Sequence, residues 1–504
     1  MAKRAKRQSR RAQPGEKSPI GVYPPFTGTV PPIPDGALRP FLPFLPHPET
    51  TAPPPPPRPD LAPPPPGFTR SYHAAPAAYP KELKEATGAA SRLPSPFRKS
   101  APSENETKEE RSARVTAESV ECIRIRTDAT QWSLDEAKAA APPGLWLAAE
   151  RWRRDKPTGG VTLVCTHANG LHKEHWHPIL HDILARPAAA TEAFGTLAPL
   201  TGGQVTIDEI WLLDDTNHGA SVDLNAGRLG AAQSWVDDSR DVLNFVQHVL
   251  PRVDDDAGWQ LRWGAATGAG RPRTVIGLGH SFGGNGLVQA AHARPDLFSG
   301  LFLVDPMTPN HFVNHDDAVR NPLQSYYMVP AAMRRRDIWP SRAEAYKALR
   351  DSPFFAPWAD SIFDLYMTHG IVPVDYSKPD GAVTLATPAW CEAAVFCEPG
   401  GPGIGWAKLK SLSMPVAFAM AGDTSATSGP GKGPGRTHEM VWRAALSRNE
   451  IIVDAGHLVV QERPVDTADS LWRFLSTLSA GKWGASEGEI RAAYDAAAPP
   501  RPRL

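Results

Sequence analysis

The sequence predicts an α/β fold in which helices cover a mostly parallel sheet. Short β-rich runs recur along the chain, and several are apolar throughout instead of alternating, which is typical of strands buried on both faces. Amphipathic stretches lie between these runs. In residues 234–250 the apolar positions follow the spacing of one helix face: Val242, Phe245, Val246 and Val249. Strand–helix alternation of this kind indicates an α/β protein.

The predicted strands lie in the region from about residue 115 to residue 481, about 365 residues that could bury a large core. They are the segments 120–125, 144–152, 161–165, 210–213, 274–279, 301–304, 416–420 and 450–453.

The first hundred residues have a different composition from the rest. They hold 25 of the 54 prolines. Because proline fixes φ and lacks an amide donor, we expect residues 23–66 to be polyproline II or disordered. Residues 1–13 are basic, which predicts a solvated tail, with a nuclear signal or mitochondrial presequence as alternatives. With the polar segment 97–114, these features predict a basic, proline-rich, disordered arm over residues 1–114.

Charge and cysteine content argue against several classes of function. Lys+Arg and Asp+Glu balance at 54 each, so we expect no nucleic-acid partner. No apolar run reaches the roughly 18–20 residues of a membrane span. The four cysteines form no CxxC pair, which disfavours a structural metal site. Pro53, Pro56 and Arg58 fit the PxxPxR pattern, so an SH3-type domain is a candidate partner, although proline runs match this pattern by chance.

The strongest chemical signal is a nucleophile motif at residues 274–293. An apolar strand leads into GHSFG at 279–283, and a helix follows at once. This is GxSxG in its strand–turn–helix context, which predicts Ser281 as the nucleophile. The amide of Phe282 would lie at the helix N-terminus, where unpaired N–H groups favour an oxyanion.

A serine hydroxyl needs a base to take its proton. His457 directly follows the last predicted strand, after Gly456, which lets the loop turn. Its place after the nucleophile in the chain makes His457 the predicted base. The remaining member, the acid that would orient this histidine, has two candidates, Asp305 and Asp423, each directly after a predicted strand.

Two further motifs accompany GHSFGG: THANGLHKEHW at 166–176 and WLLDDTNHGAS at 211–221. Together they resemble the α/β-hydrolase superfamily over about residues 120–480, and more narrowly fungal toxin-biosynthesis proteins and peroxisomal lipase-like hydrolases. The resemblance implies that the backbone N–H of Asn169 is the second oxyanion donor. It also favours Asp305 as the acid, because Ser425 stands where many family members carry the later one. Asp423 stays open.

The segment 306–405 is predicted to be a largely helical cap inserted between core strands, because it is rich in aromatic residues and methionine. The core would then comprise residues 115–305 and 406–481, followed by a C-terminal helix and flexible tail at 482–504. An apolar cap predicts a small acyl or aromatic ester as substrate.

The predicted function is that of a lipase- or esterase-like serine hydrolase that needs no cofactor or metal. Thioesterase, acyltransferase and carbon–carbon bond hydrolase activities remain alternatives on the same residues, and an interaction protein on a retired hydrolase fold is the non-enzymatic alternative. Four closely spaced histidines could suggest a metal site but lack a zinc-hydrolase carboxylate pattern: His172, His175, His177 and His181.

The final tripeptide, Pro502 to Leu504, resembles a peroxisomal targeting signal. We therefore expect a peroxisomal import receptor as partner and a peroxisomal location, with cytoplasmic, mitochondrial and nuclear locations as alternatives.

Overall fold

The structure is a computed structural model that describes residues 11–13, 16–57, 59, 62–88, 106–186, 189–190, 203–204, 206–265, 273–429 and 431–479. Its strands are β1 (Ile20–Gly21), β2 (Phe68–Pro76), β3 (Trp146–Arg154), β4 (Val161–Thr166), β5 (Ala189–Ala190), β6 (Gly203–Gln204), β7 (Ile207–Leu213), β8 (Val275–His280), β9 (Gly300–Val304), β10 (Ile338–Trp339), β11 (Ile371–Pro373), β12 (Val383–Leu385), β13 (Val416–Ala421) and β14 (Ser447–Ile452). Its helices are α1 (Lys108–Asp128), α2 (Leu134–Ala140), α3 (His177–Ala185), α4 (Ser221–Leu224), α5 (Trp235–Asn244), α6 (Phe282–Ala293), α7 (His315–Arg320), α8 (Pro322–Ser325), α9 (Met328–Met333), α10 (Arg342–Arg350), α11 (Asp360–Leu365), α12 (Ala389–Phe396), α13 (Gly401–Leu409), α14 (Ser425–Ser428), α15 (Gly435–Val441), α16 (Val459–Glu462) and α17 (Pro464–Ser479).

A nine-stranded sheet forms the centre, in the order β1-β14-β13-β9-β8-β4-β7-β3-β2. The strands from β14 to β7 run parallel to their neighbours, whereas β3, β2 and β1 are antiparallel to theirs. The predicted mostly parallel sheet is therefore confirmed. Because the carboxyl ends of β4, β8, β9, β13 and β14 share one edge, the loops that follow them meet there.

Helices cover both faces of this sheet. On one face, α5 and α6 pack over β8 and β13 through residues such as Leu243, Leu287 and Phe418. On the other, α3 and α17 pack over the same sheet through residues such as Leu180 and Phe474. These residues are almost completely removed from solvent, so the two apolar layers hold the sheet rigidly beneath its carboxyl edge.

One predicted strand, residues 120–125, is wrong. It lies inside the helix α1, which Thr107 begins by a capping box with Glu110. The buried positions Val115, Cys122 and Ile123 line one side of this helix. A short run of β-branched residues fits a strand and a helix face equally well, so the run alone could not decide.

The prediction that residues 1–114 lie outside the core is wrong for much of that segment. The strand β2 pairs with β3 over nine residue pairs, and β1 pairs with β14. Even the proline-rich stretch contacts the domain, since the Trp259 indole N–H donates to the carbonyl of Pro53 at 3.0 Å. The overall proline content of this region did not predict these contacts, because β1 and β2 lie between the proline-rich stretches. Residues 1–10 and Arg58 of the predicted SH3 ligand lie outside the described residues.

The segment between β9 and β13 contains seven α-helices, α7 to α13, and a small antiparallel sheet in the order β10-β12-β11. The predicted cap is thus mostly helical with an added sheet. Its predicted end at residue 405 falls within α13, which packs on the core helix α6. The predicted tail at 482–504 lies outside the described residues. Within the described part of the chain, no helix has the length and apolar character to cross a membrane.

Candidate active site

Ser281 occupies a sharp turn between β8 and α6. Its backbone has φ 55° and ψ −118°, a strained conformation for a residue with a side chain. The turn is feasible because glycines flank it: a Cβ on Gly279 would lie 2.6 Å from the Cα of Gly284, and one on Gly283 would lie 2.5 Å from the carbonyl oxygen of His167. The motif therefore brings strand, helix and the loop after β4 into close contact beside the serine hydroxyl.

His457 and Asp305 complete a chain of contacts with this hydroxyl. The Oγ of Ser281 lies 2.8 Å from Nε2 of His457, and Nδ1 of His457 lies 2.6 Å from Oδ2 of Asp305. Because a carboxylate only accepts hydrogen bonds, Nδ1 carries the proton and Nε2 faces the serine as an acceptor. The arrangement can remove a proton from the serine and stabilise the resulting imidazolium.

The two predicted acids lie in different environments. Asp305 is 1% exposed, and its other oxygen accepts from the backbone N–H of Ala421 at 3.2 Å. Asp423 is exposed and accepts from the backbone N–H of Ser425 at 2.9 Å, so it stabilises the turn before α14. Among the described residues, the structure brings Asp305 to His457, whereas Asp423 contacts Ser425 in the turn before α14.

His280, which sequence reasoning did not single out, attaches the base to the turn. Its Nε2–H donates to the backbone carbonyl of His457 at 3.0 Å. Burial and, to a smaller extent, the nearby His457 ring together lower the pKa of His280 to about 3. A neutral His280 therefore holds the histidine loop without adding a second positive charge beside His457. His280 is visible in the sequence as the residue before Ser281, but its hydrogen-bond partner, the carbonyl of His457, lies 177 residues later.

The predicted oxyanion donors lie on two elements that contact each other. The backbone N–H of Gly283 donates to the carbonyl of His167 at 3.1 Å, which joins the loop after β4 to the start of α6. The N–H groups of Asn169 and Phe282 donate to no other described residue. Phe282 is the first residue of α6, where the helix dipole adds positive potential. Both N–H groups are therefore available to donate to a carbonyl oxygen.

The two loop motifs at 166–176 and 211–221 form one buried polar network. Asp214 accepts from Lys173 through both the backbone N–H, at 2.9 Å, and Nζ, at 2.6 Å. His167 accepts at Nε2 from the N–H of Asp215 at 3.1 Å, and burial lowers the pKa of His167. Lys173 and Asp214 are fully buried, so each compensates the charge of the other.

The cap helix α12 covers the region next to Ser281. Val395 of this helix packs with Trp235 and Phe282 in a buried apolar cluster that Met307 joins. The Trp235 indole N–H also donates to the Val395 carbonyl at 2.9 Å. This part of α12 therefore presents an apolar side chain to Phe282, whereas Glu392 of the same helix lies against the loop that carries Gly170.

Of the four closely spaced histidines, the rings of His172 and His175 lie together, with centroids 4.0 Å apart, but the four do not form a group that could hold one metal ion. His172 contacts Glu174, and His175 contacts Gln461. His177 contacts Glu150, and His181 packs against Trp152. Among the described residues, the group with ligand atoms close enough to hold a metal ion is instead carboxylic, within 4.8 Å of one another: Asp215, Asp238 and Asp241. Lys81 already pairs with Asp241, and burial, with Asp215 nearby, raises the pKa of Asp238. A protonated Asp238 lets these carboxyl groups lie together.

Known proteins resemble this chain over part of its length. No family model matches it. Over 201 residues it is 29% identical to the Penicillium brevicompactum protein named type I acyl-CoA thioesterase mpaH, a match that covers 38% of this chain and 36% of that protein. Over 251 residues it is 25% identical to abhydrolase domain-containing protein AKT2 of Alternaria alternata, covering 43% of this chain and 88% of that protein. The first match thus spans about a third of the thioesterase.

Among solved structures, the crystal structure of the peroxisomal alpha-beta-hydrolase Lpx1 of Saccharomyces cerevisiae superimposes with a TM-score of 0.56 at 16% identity. It covers 86% of this chain and 97% of Lpx1. This likeness shows the α/β-hydrolase fold and confirms the predicted fold class. The predicted resemblance to fungal and peroxisomal α/β-hydrolases is confirmed as well.

Proposed function

We propose that this α/β-hydrolase-fold protein is a serine hydrolase that cleaves a carboxylic ester through a covalent acyl-enzyme. Ser281 is the nucleophile, His457 the base and Asp305 the acid. The observation that carries the proposal is the continuous contact from the Ser281 hydroxyl through His457 to the Asp305 carboxylate, at 2.8 and 2.6 Å. Such a chain makes a serine hydroxyl nucleophilic at neutral pH.

The reaction follows from these contacts. Nε2 of His457 takes the Ser281 proton as Oγ attacks the substrate carbonyl carbon, and the N–H groups of Asn169 and Phe282 donate to the oxyanion. His457 then returns the proton to the leaving group, and the acyl group stays on Ser281. A water molecule, deprotonated by His457, releases the acid and restores the serine. Throughout, Asp305 holds the proton of His457 on Nδ1.

The proposed substrate is a small ester with an apolar acyl or aromatic group. The support is the apolar cluster of Trp235, Phe282 and Val395 beside the nucleophile, since apolar surroundings favour an apolar group. A thioester is the second candidate, because one relative carries the name acyl-CoA thioesterase. The same residues would attack either carbonyl, and the leaving group alone differs.

The test is the variant Ser281→Ala, with Ser425→Ala as a control outside the contact chain. Ser281→Ala should lose p-nitrophenyl butyrate hydrolysis and fluorophosphonate labelling, with a loss of roughly 10⁴–10⁶-fold in kcat. Ser425→Ala should keep both. A Ser281→Ala variant that retained a tenth of the activity would show that Ser281 is not the nucleophile. A comparison of kcat/KM for p-nitrophenyl butyrate and butyryl-CoA then separates the ester from the thioester.

The proposed location is the peroxisome. Its support is the similarity to a peroxisomal α/β-hydrolase, together with the expected targeting tripeptide at 502–504. A fluorescent protein extended by residues 496–504 should collect in peroxisomes, and deleting Leu504 should return it to the cytosol. A diffuse signal from the extended protein would contradict this location and would leave the proposed reaction untouched.

A further inference from the structure

His218 is a fully buried histidine of the NHGAS motif, outside the contact chain from Ser281 to Asp305. Its ring lies between the loop after β4 and the loop after β7. Nε2 of His218 accepts from the backbone N–H of Gly170 at 2.9 Å. The ring also packs near His167, with centroids 5.0 Å apart, and near Phe282, with centroids 6.3 Å apart. His218 thus contacts both segments that carry the proposed oxyanion donors.

The proton of this imidazole can be placed from its neighbours. Nδ1 of His218 lies 2.5 Å from the side-chain oxygen of Asn217, and an amide oxygen only accepts. The proton is therefore on Nδ1, and Nε2 is free to accept from Gly170. The side-chain oxygen of Asn169 lies 3.0 Å from the same Nε2. Because neither atom then carries a proton, they form no hydrogen bond. Burial keeps the pKa of His218 well below its ordinary value, so the ring stays neutral.

Two further contacts hold the loop that carries Gly170. Gly170 has φ 75°, and a Cβ there would lie 2.8 Å from the carboxyl carbon of Glu392. The Asn169 side chain donates to the Glu392 carbonyl at 3.1 Å. The loop is therefore held on the cap side by Glu392 and on the core side by His218. With Gly170 N–H occupied, the N–H of Asn169 remains as the donor available to a substrate.

We propose that His218 is a positioning residue for the oxyanion loop: its neutral Nε2 fixes the Gly170 amide, so that the Asn169 N–H points to the developing oxyanion. This role rests on the proposed function, because it needs an oxyanion at Ser281. It gives the NHGAS motif a part in transition-state stabilisation without contact to the substrate. A loop free to rotate would lose that donor when the tetrahedral intermediate forms.

The test compares replacements that differ only in where they offer an acceptor. His218→Gln places its side-chain oxygen near the position of Nε2, whereas His218→Asn reaches only the position of Nδ1. His218→Phe keeps the ring and removes both nitrogens. His73→Phe, at a buried histidine on β2, controls for the general cost of losing such a residue. Each variant is assayed with p-nitrophenyl butyrate and with an alkyl trifluoromethyl ketone, whose oxyanion occupies the same place as the intermediate's.

His218→Asn and His218→Phe should lower kcat about 100-fold, the usual cost of one oxyanion donor, with KM changed less than threefold. The ketone Ki should rise by the factor by which kcat/KM falls. His218→Gln should have a kcat at least tenfold above that of His218→Asn, and His73→Phe should keep the wild-type kcat. If His218→Phe fails to fold, the comparison of His218→Gln with His218→Asn still decides the question.

Equal kcat for His218→Gln and His218→Asn, or an effect confined to KM, would overturn the positioning role of His218. Ser281→Ala in the same series separates this from the proposed function. An active Ser281→Ala would reject the reaction itself. An inactive Ser281→Ala together with a wild-type kcat in the position 218 variants would reject only the positioning role.

Discussion

A chain that begins at Arg114 lacks β2, and we expect it not to fold. The strand β2 pairs with β3 over nine residue pairs, and Ala74 and Ala75 of β2 are completely buried. At about 1 kcal/mol for each net hydrogen bond, the ladder stabilises the fold by roughly 5–10 kcal/mol. That is comparable with the whole free energy of unfolding of a typical domain, about 5–15 kcal/mol. Removal of β2 would also expose the backbone edge of β3 to aggregation.

A chain that begins at Ala62 is the informative comparison, because it keeps β2 and loses only the first segment. That segment holds the histidine loop: the N–H of Asp454 donates to the Ser18 hydroxyl at 2.9 Å, and the Tyr23 N–H donates to the Asn449 side chain at 2.7 Å. Loss of these contacts and of the buried Tyr23 ring should cost roughly 3–5 kcal/mol. We expect this chain to fold, with a lower Tm and a lower kcat, because His457 follows the loosened strand β14.

The assays are soluble yield, thermal unfolding by circular dichroism and kcat/KM for p-nitrophenyl butyrate. A chain that begins at Arg11 serves as the control, since it retains the contacts of residues 16–57. The expected order of both Tm and activity is Arg11, then Ala62, with no folded product from Arg114. If the Arg114 chain gave soluble protein with cooperative unfolding and the activity of the full chain, the view that β2 belongs to the core would be refuted.

Three further outcomes are expected, two from the site and one from His369, a histidine between α11 and β11. Asp305→Asn should lower kcat by roughly 10⁴-fold through the wrong tautomer of His457, the proposed base, while Asp423→Asn should change it little; the reverse ranking in the same esterase assay would transfer the proposed acid role to Asp423. Gly170→Ala should lower kcat with little change in KM, because its Cβ would contact Glu392 at 2.8 Å; unchanged kcat would show that the loop adapts. Burial lowers the pKa of His369 to about 3, so between pH 3 and 6.5 the unfolded chain binds a proton that the folded chain does not, and stability falls as the pH drops through that window. His369→Gln should reduce the loss of unfolding free energy between pH 6.5 and 5 by roughly 1–2 kcal/mol. Urea unfolding measures this free energy, and an unchanged dependence on pH would contradict the prediction.

The sequence predicted the parts of the site that depend on local pattern. Ser281 stands in a motif whose strand, turn and helix are contiguous, and His457 directly follows the last parallel strand. The acid could not be chosen in this way, because Asp305 and Asp423 follow the neighbouring strands β9 and β13. Which carboxylate reaches the histidine depends on the backbone conformation of the turn after each strand. Asp305 has an unusual φ of 37°, which no local sequence pattern predicts.

Contacts between distant segments were the ones that sequence reasoning missed. His280 and His218 both lie in motifs that were recognised, but their partners, the carbonyl of His457 and the amide of Gly170, belong to other loops. The strands β1 and β2 were missed because pairing partners cannot be read from a proline-rich composition. Tertiary packing overrides such compositional averages when a short segment can extend an existing sheet edge.

The pairing of Ile20 with Ile452 also has a consequence for how the protein is made, because more than 400 residues separate the two positions. At a synthesis rate of about 5–20 residues per second, the first segment leaves the ribosome roughly 20–90 s before its partner strand exists. During that time Pro19 and Pro24, on either side of β1, limit its pairing with any other strand. The edge of the sheet at β14 therefore closes only when the chain is almost finished, and the contacts between the first segment and the loop that carries His457 form only then.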